Sequence, residues 1–310
     1  MSQVACIGEC MIELSEHPDG MLSRSFGGDT LNTSLYMARL GLRVDYVTAL
    51  GDDPFSDWMI DAWTAEGIGT ALIPRLPGAL PGLYMIRTAP NGERQFFYWR
   101  DSAPVRQLFR LPQTGEIETA LRSSELIYLS GVTLSLFDET ARTRLFDTLA
   151  AARATGGRVA FDTNFRPRGW PDRARAQAVF DRAFRHSDVV LASVEDHALL
   201  YGTDDPVAVL ARLQAATVPE IVVKLATPAC WIAADGHREA IEAEPVTEVV
   251  DTTAAGDSFA AAYLAARLAG HAPGSAARAG HRLAGAVVRH RGAIIPAAAM
   301  PPTVLDAEAG

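Results

Sequence analysis

Nine residues in the last third of the chain have the composition of an anion-binding turn that opens a helix. They are Asp251-Thr252-Thr253-Ala254-Ala255-Gly256-Asp257-Ser258-Phe259, and a helical pattern follows over 260–268. Small side chains at 254–256 let backbone N–H groups approach an anion, which the helix dipole also favours. Asp257 would lie beside that anion and could accept a proton from a hydroxyl group. The alternative is a capped helix, with Thr252 or Thr253 as the N-cap and Asp257 as a dipole-favoured carboxylate.

The elements that must position these residues alternate between strand and helix. Short apolar runs without strict alternation lie at 4–8, 44–50, 126–130, 158–162, 189–192 and 220–224. Such runs are typical of strands buried on both faces of a parallel sheet. Helices between them have recognisable ends: Asp29 precedes 31–40, Asp53-Pro54 opens a second helix, and Asp138 opens a third. The pattern predicts a three-layer α/β fold with a mostly parallel central sheet.

A β-hairpin interrupts this alternation between residues 82 and 100. Pro90 cannot donate the backbone N–H that a two-residue Asn-Gly turn would need, which favours a three-residue Pro90-Asn91-Gly92 loop. That loop places Tyr84 opposite Tyr98 and on one face with Arg100. Without other information, both tyrosines could be ordinary hairpin aromatics. Together with residues 11–26 the hairpin would form a small sheet that projects from the main body. We expect the whole chain, 1–310, to be a single domain.

Composition excludes several classes of protein. The 310 residues carry 28 Lys plus Arg against 37 Asp plus Glu, a net charge of −9, which argues against nucleic acid as a partner. Three cysteines and seven histidines form no disulfide or metal-binding pattern, and the histidines are interpreted as surface or packing residues. No apolar run is long enough for a membrane span, and a cytoplasmic location is expected. Walker-type and dinucleotide-binding motifs do not occur.

Several motifs, in order along the chain, resemble those of the ribokinase-like (PfkB) carbohydrate kinases. Asp251 to Phe259 resembles their C-terminal signature and Gly27-Gly28-Asp29-Thr30-Leu31-Asn32-Thr33 their N-terminal one. Further segments resemble the branch whose substrate is the sugar acid 2-keto-3-deoxygluconate: Gly8-Glu9-Cys10-Met11-Ile12-Glu13-Leu14-Ser15, Leu83-Tyr84, Gly92-Glu93-Arg94, Tyr98-Trp99-Arg100, Asn164-Phe165-Arg166-Pro167-Arg168 and Arg291-Gly292-Ala293-Ile294-Ile295-Pro296. The resemblance implies an α/β/α fold, a β lid from about 11–26 and 82–100, and transfer of the ATP γ-phosphoryl group to a sugar hydroxyl.

The resemblance also assigns roles to residues. It implies that Asp257 is the catalytic base and that the backbone of Ala254, Ala255, Gly256 and Asp257 forms the anion hole. It implies that the substrate is held by Gly28, Asn32, Tyr84, Tyr98, Arg100 and Arg166. It places Lys224 and Ser193 at the nucleotide, Asp251 and Thr253 at a monovalent cation such as K⁺, near backbone carbonyls at Arg291 and Gly292, and Asp196 or Glu195 at Mg²⁺ through water.

By residue type alone, Arg100 and Arg166 could be solvated surface charges, but two guanidinium groups that converge on one pocket suit a carboxylate through paired N–H donors. Gly28 has no Cβ and would permit close approach of a ligand, or it could simply serve a strand-to-helix turn.

Three positions depart from the family pattern. Glycines do not follow Lys224, and Ser193-Val194-Glu195-Asp196 replaces Asn-x-x-Glu. Ala254 replaces a common glycine, at what we expect to be the N1 position of the helix.

Alternatives to a sugar-acid kinase remain. They are a kinase for a neutral sugar such as fructose, tagatose or ribose, which Arg100 and Arg166 disfavour, and a non-catalytic sugar-binding regulator, which Asp257 disfavours. The exposed face of the small sheet predicts a homodimer or a higher homo-oligomer.

Overall fold

The computed structural model describes residues 4–17, 19–88, 94–302 and 304–305. The strands are β1 (Val4–Ile7), β2 (Met11–Glu16), β3 (Leu22–Gly27), β4 (Val44–Val47), β5 (Leu50–Gly51), β6 (Arg75–Leu76), β7 (Leu83–Thr88), β8 (Arg94–Trp99), β9 (Leu126–Ser130), β10 (Arg158–Asp162), β11 (Val189–Ser193), β12 (Glu220–Lys224), β13 (Ala229–Ala234) and β14 (His237–Glu242). The helices are α1 (Asp29–Arg39), α2 (Pro54–Ala65), α3 (Thr114–Arg122), α4 (Gly131–Leu136), α5 (Glu139–Ala154), α6 (Arg173–Arg185), α7 (Val194–Tyr201), α8 (Pro206–Ala215), α9 (Ala255–Leu268) and α10 (Pro273–Val287). Three short 3₁₀ helices lie at Pro104–Arg110, Pro167–Gly169 and Ala297–Ala299.

An eight-stranded sheet forms the middle layer, in the order β14-β13-β12-β11-β10-β9-β1-β4. The six strands from β12 to β4 run parallel, and β13 and β14 continue the sheet antiparallel. All six predicted strands are therefore confirmed. The run predicted over 44–50 divides, because β4 ends at Val47 and Leu50 begins the separate strand β5, which pairs with β6.

Both faces of this sheet are covered by helices, which confirms the predicted three layers. Successive residues of β1 alternate between two cores: Ala5 and Ile7 pack with α5 to α8, and Val4 and Cys6 pack with α1, α2, α9 and α10. Because β1 is buried on both faces, it lacks a polar alternation. None of the described helices has both the length and the apolar character needed to cross a membrane, and the cytoplasmic location stays a prediction.

Two of the predicted capping signals, at α2 and α5, are confirmed. The carboxylate of Asp53 accepts hydrogen bonds from the amides of Phe55 and Ser56, and that of Asp138 from Ala141. At α1 the sequence prediction is wrong by one residue. The N-cap is Gly28, in an extended conformation, and Asp29 is already the first helical residue.

A second, four-stranded sheet has the order β3-β2-β7-β8. β7 and β8 are antiparallel, with Tyr84 opposite Tyr98, which is the predicted register; the Pro90-Asn91-Gly92 loop lies outside the described residues. The rings of Tyr84 and Tyr98 are 5.9 Å apart and so share a face. Gly8 begins the short connection from the carboxyl end of β1 to this sheet, Gly28 connects β3 to α1, Gly82 immediately precedes β7, and Arg100 immediately follows β8.

Candidate active site

The predicted functional residues gather where the parallel strands end and where α9 begins. Ligands of open α/β sheets bind at this edge, because the strand ends and helix N-termini leave a crevice there. Asp162, Ser193 and Lys224 are the last residues of three neighbouring strands.

Asp257 lies in the first turn of α9 and is oriented from α1. The side-chain amide of Asn32 donates to Asp257 Oδ2 over 2.8 Å. Burial, together with the nearby charge of Asp29, raises the pKa of Asp257 to about 7, and the Asn32 hydrogen bond opposes that rise. A carboxylate whose pKa lies near neutrality is well matched to accept a proton from a hydroxyl group.

The start of α9 differs from the sequence prediction. Ala254 is the N-cap, not N1, and neither Thr252 nor Thr253 caps the helix. Ala254 has φ 60° and ψ 15°, the left-handed conformation that glycine adopts without strain. The first i to i−4 hydrogen bond runs from the amide of Ser258 to Ala254 O. The amides of Gly256 and Asp257 precede that bond and belong to the open end of the helix, where an anion is favoured.

Asp251 links this turn to the segment that follows α10. Its Oδ1 accepts from the amide and the hydroxyl of Thr253, at 3.1 and 2.7 Å, and its Oδ2 accepts from the amide of Gly292 at 2.9 Å. The structure therefore brings together the residues that the resemblance assigned to a monovalent cation. Carboxylate and hydroxyl oxygens suit such an ion chemically.

The end of β10 supplies two polar residues, Asp162 and Asn164, to which the sequence assigned no role in the site. Lys224 Nζ donates to Asp162 Oδ2 at 2.8 Å, and Asp162 is 4% exposed. Asn164 Nδ2 donates to Asp29 Oδ2 at 2.6 Å, across 135 positions of sequence. Asp162 is the last residue of the buried strand β10, and Asn164 follows it by two positions. That position was the signal available in the sequence.

Asp196, rather than Glu195, faces this edge. Asp196 is buried and accepts a 2.6 Å hydrogen bond from Thr163 Oγ1, whereas Glu195 is exposed. Ser193 caps α7 by accepting from the amide of Asp196. Among the described residues, no group of three or more His, Cys, Asp or Glu side chains is arranged to hold a metal directly. Asp196 fits Mg²⁺, which prefers carboxylate oxygens and keeps several of its waters.

The two arginines predicted to bind a carboxylate occupy different environments. Arg100 forms an ion pair with Glu9, whose side chain is only 3% exposed. The guanidinium of Arg166 is 64% exposed, and its Nη1 lies 4.0 Å from Asp196 Oδ1. Each therefore faces a carboxylate of the chain itself.

Glycines fit the turns of the chain closely around Glu9. A Cβ added to Gly28 would lie 2.1 Å from Glu9 O, and one added to Gly82 would lie 2.8 Å from Glu9 Oε1. Gly28 thus permits close approach of the backbone at Glu9. In the second sheet, the hydroxyl of Tyr84 donates to Glu13, and Tyr98 remains 44% exposed.

A cavity of about 290 Å³ lies between α10 and the segment that leads from β14 towards Asp251. Val246, His281 and Gly285 are among the residues that line it. Within the described part of the chain, His281 Nε2 is buried without a hydrogen-bond partner. Burial lowers the pKa of His281, so the neutral imidazole is the favoured form.

Fold and site together define a kinase of the PfkB type. Residues 1–300 match the model of the pfkB family carbohydrate kinases, and the chain belongs to that family, as the resemblance predicted. It is 43% identical to a 2-dehydro-3-deoxygluconokinase from Escherichia coli K12 over 307 residues, covering 96% of this chain and 99% of the relative. It is 44% identical to the enzyme of that name from Dickeya dadantii, covering 96% and 98%. A putative Ribokinase II from E. coli, solved in complex with ATP and Mg²⁺, has the same fold with TM-score 0.81 and 23% identity, covering 94% of each chain.

Proposed function

We propose that the protein transfers the γ-phosphoryl group of ATP to the C6 hydroxyl of 2-keto-3-deoxygluconate, also called 2-dehydro-3-deoxygluconate. The product is 2-keto-3-deoxy-6-phosphogluconate. The observation that carries the proposal is Asp257, oriented by Asn32 and placed in the same helical turn as the free amides of α9. The two relatives that are 43% and 44% identical carry the name of this activity.

Asp257 accepts the proton of the attacking hydroxyl group in this mechanism. Its Oδ2 is held by Asn32, which leaves Oδ1 to face the substrate. Within the predicted anion hole of Ala254, Ala255, Gly256 and Asp257, the amide of Ala255 donates to Thr252 O. The amides of Gly256 and Asp257 therefore stabilise the charge on the transferring phosphoryl group, and such donors typically contribute about 2.7–4 kcal/mol each. Catalysis then consists of positioning and charge stabilisation, as phosphoryl transfer requires.

Ions complete the charge balance of the site. Asp196, supported by Thr163, would hold Mg²⁺ through water, and the metal would neutralise the phosphate oxygens. Asp251 and Thr253 would hold a K⁺ ion behind the anion hole. Family members use ATP with Mg²⁺, whereas activation by K⁺ is part of the proposal.

The nucleotide would lie along the ends of two adjacent strands. Ser193 and Lys224 are paired in the parallel ladder of β11 and β12, so both border the same stretch of the crevice. The cavity next to α10, which Val246, His281 and Gly285 help to line, would accept the base.

The sugar acid would lie beneath the second sheet, which acts as the lid of a single kinase domain. Its ligands would be Gly28, Asn32, Tyr84, Tyr98, Arg100 and Arg166. A carboxylate that leaves water must be paired, or its desolvation is uncompensated. The charges of Arg100 and Arg106 both act on Glu9, which places cationic groups at this end of the site.

The decisive experiment compares sugars under MgATP in a coupled assay of ADP release. The panel consists of 2-keto-3-deoxygluconate, gluconate, fructose, tagatose and ribose. We expect kcat/KM for the keto-deoxy acid to exceed that for every neutral sugar, with phosphate on C6 of the product by NMR. The variant Asp257→Asn controls for contaminating kinases. A higher kcat/KM for a neutral sugar would contradict the substrate assignment, and sugar binding without any turnover would favour a regulator.

We also propose that the protein is a homodimer formed through the second sheet. Phe97 and Trp99 lie on the face opposite to Tyr98 and are 44% and 61% exposed. Exposed aromatic residues on a sheet are suited to contact a second copy. Light scattering should give a dimer mass for the wild type and a monomer mass for Trp99→Asp. A monomeric wild type would overturn this proposal.

A further inference from the structure

Lys224 is the single lysine of the chain, which has 27 arginines. Arginine and lysine are equivalent at most solvated positions, and this sequence uses arginine there throughout. They differ where a compact charge must fit a confined space, because the ammonium group is small and the guanidinium is a planar fork. The one lysine therefore marks a position at which the smaller cation is needed.

The surroundings of Lys224 are confined. The residue ends β12, its side chain is 19% exposed, and its Nζ lies 2.8 Å from Asp162 Oδ2. A Cβ built on Gly256 would lie 3.6 Å from the same nitrogen. The ammonium group thus lies between the buried carboxylate of β10 and the first turn of α9. A guanidinium would extend further into that gap.

The charges around Lys224 keep it protonated. Burial alone would lower its pKa, but the charge and the hydrogen bond of Asp162 raise it, and Asp196 and Asp257 act in the same direction. An ammonium group has three N–H donors, and Asp162 accepts one of them. Donors therefore remain for an anion that enters beside Gly256.

We infer that the ammonium group of Lys224 binds the γ-phosphoryl group of ATP during its transfer, and that Asp162 is the positioning residue that holds it there. The inference rests on the proposed kinase function and specifies how this chain neutralises the transferring group. The amides of α9 approach that group from one side, and Lys224 adds a full charge from the end of β12. Asp162 fixes the direction of approach and reduces the cost of burying the ammonium when the nucleotide is absent.

The single lysine provides a direct physical test. Protein grown with ¹³C-lysine should give one lysine Hε–Cε correlation in NMR spectra, because the chain contains one such side chain. We expect Mg-AMPPNP to shift this signal further than Mg-ADP, because the two nucleotides differ in the γ-phosphoryl group. Equal shifts from both nucleotides, or none from either, would overturn the inference. This measurement needs no sugar and stands even if the proposed substrate is wrong.

Kinetics of matched variants form the second arm. Lys224→Met should lower kcat by about 10²-fold or more, the effect of losing one donor to a developing charge, and Lys224→Arg should not restore it. Both variants should still bind Mg-ADP and keep the circular dichroism spectrum of the wild type, which shows that they are folded. Full kcat in Lys224→Met would refute the role, and full kcat in Lys224→Arg would refute the size argument.

Asp162→Asn tests the positioning role. It should reduce the difference between the Mg-AMPPNP and Mg-ADP shifts of the lysine signal and lower kcat less than Lys224→Met does. A difference as large as that of the wild type would show that Asp162 does not position the lysine. Arg175→Lys, at an exposed residue that bonds Glu139, is the control for a basic substitution and should keep full activity.

Discussion

Asn32 and Asp257 are 225 positions apart in sequence and are joined by a 2.8 Å hydrogen bond from the amide nitrogen of Asn32 to Asp257 Oδ2. The bond spans α1 and α9, which pack against each other below the crevice. It fixes the direction of the carboxylate and favours its charged form, against the desolvation that favours the neutral form.

Replacing Asp257 with Asn removes the proton acceptor and keeps the shape of the side chain. We expect kcat to fall by about 10²–10⁴-fold with little change in KM, because the lost interaction belongs to the transition state. Steady-state assays with saturating MgATP measure this. Turnover close to that of the wild type would remove Asp257 from the proton-transfer step.

Activity should depend on the protonation of Asp257. Because its pKa is raised to about 7, the base is lost as the pH falls through neutrality, and kcat/KM should decline on that side. Asn32→Leu removes a hydrogen bond that lowers the pKa, so the acid limb of the profile should move to higher pH. A limb that stays in place in Asn32→Leu would show that Asn32 does not influence the base.

The raised pKa of Asp257 also makes the stability of the folded protein depend on pH. The pKa of Asp257 is higher in the folded protein than in the unfolded chain, so ionisation of this carboxyl group opposes folding. The loss of stability develops as the pH rises from about 4 to 7 and is complete above pH 7. Asp257→Asn should therefore raise the melting temperature at pH 8, with a smaller change at pH 4. Thermal unfolding at both pH values tests this, and an equal change at both would contradict it.

Ala254 holds a left-handed conformation at the N-cap of α9, with φ 60°. Ala254→Gly should relieve that strain and stabilise the protein by about 0.5–1 kcal/mol. The control is Ala255→Gly one residue later, where the backbone is helical and glycine should destabilise by a similar amount. Urea titration measures the free energy of unfolding of both variants. A change of the same sign in both, relative to the wild type, would contradict the prediction.

Replacing Arg100 should mainly lower the stability of the protein, whereas replacing Arg166 should mainly lower its activity towards the acid sugar. Arg100→Ala removes the ion-pair partner of the buried Glu9 and leaves Arg106 as its remaining cationic neighbour, so it should cost up to about 3–5 kcal/mol of folding free energy. Arg166 is 64% exposed, so Arg166→Ala should leave the melting temperature almost unchanged. It should nevertheless lower kcat/KM at least tenfold for the acid sugar, and far less for a neutral sugar. Equal losses for the two sugars would make Arg166 a structural residue.

The sequence by itself determined the strands of the central sheet, most helix ends and the family. Strands buried on both faces are recognisable as uninterrupted apolar runs, and caps such as Asp53 and Asp138 act on amides only two or three positions away. These signals are local, so they can be recognised without knowledge of the tertiary contacts. The predicted register of Tyr84 and Tyr98 was likewise local, because the Pro90 position restricts the length of the loop.

Only the tertiary structure decided which side chains meet. Lys224 at the end of β12 contacts Asp162 at the end of β10, across the intervening strand β11. Arg100, which follows β8, pairs with Glu9, which precedes β2. No sequence motif predicts either pairing, because strand order and helix packing bring together residues that are 62 positions apart in the first pair and 91 in the second. The left-handed Ala254 also escaped the sequence analysis. Alanine normally favours the right-handed helix, and here the packing of the turn against its neighbours outweighs a local preference of about 1–2 kcal/mol.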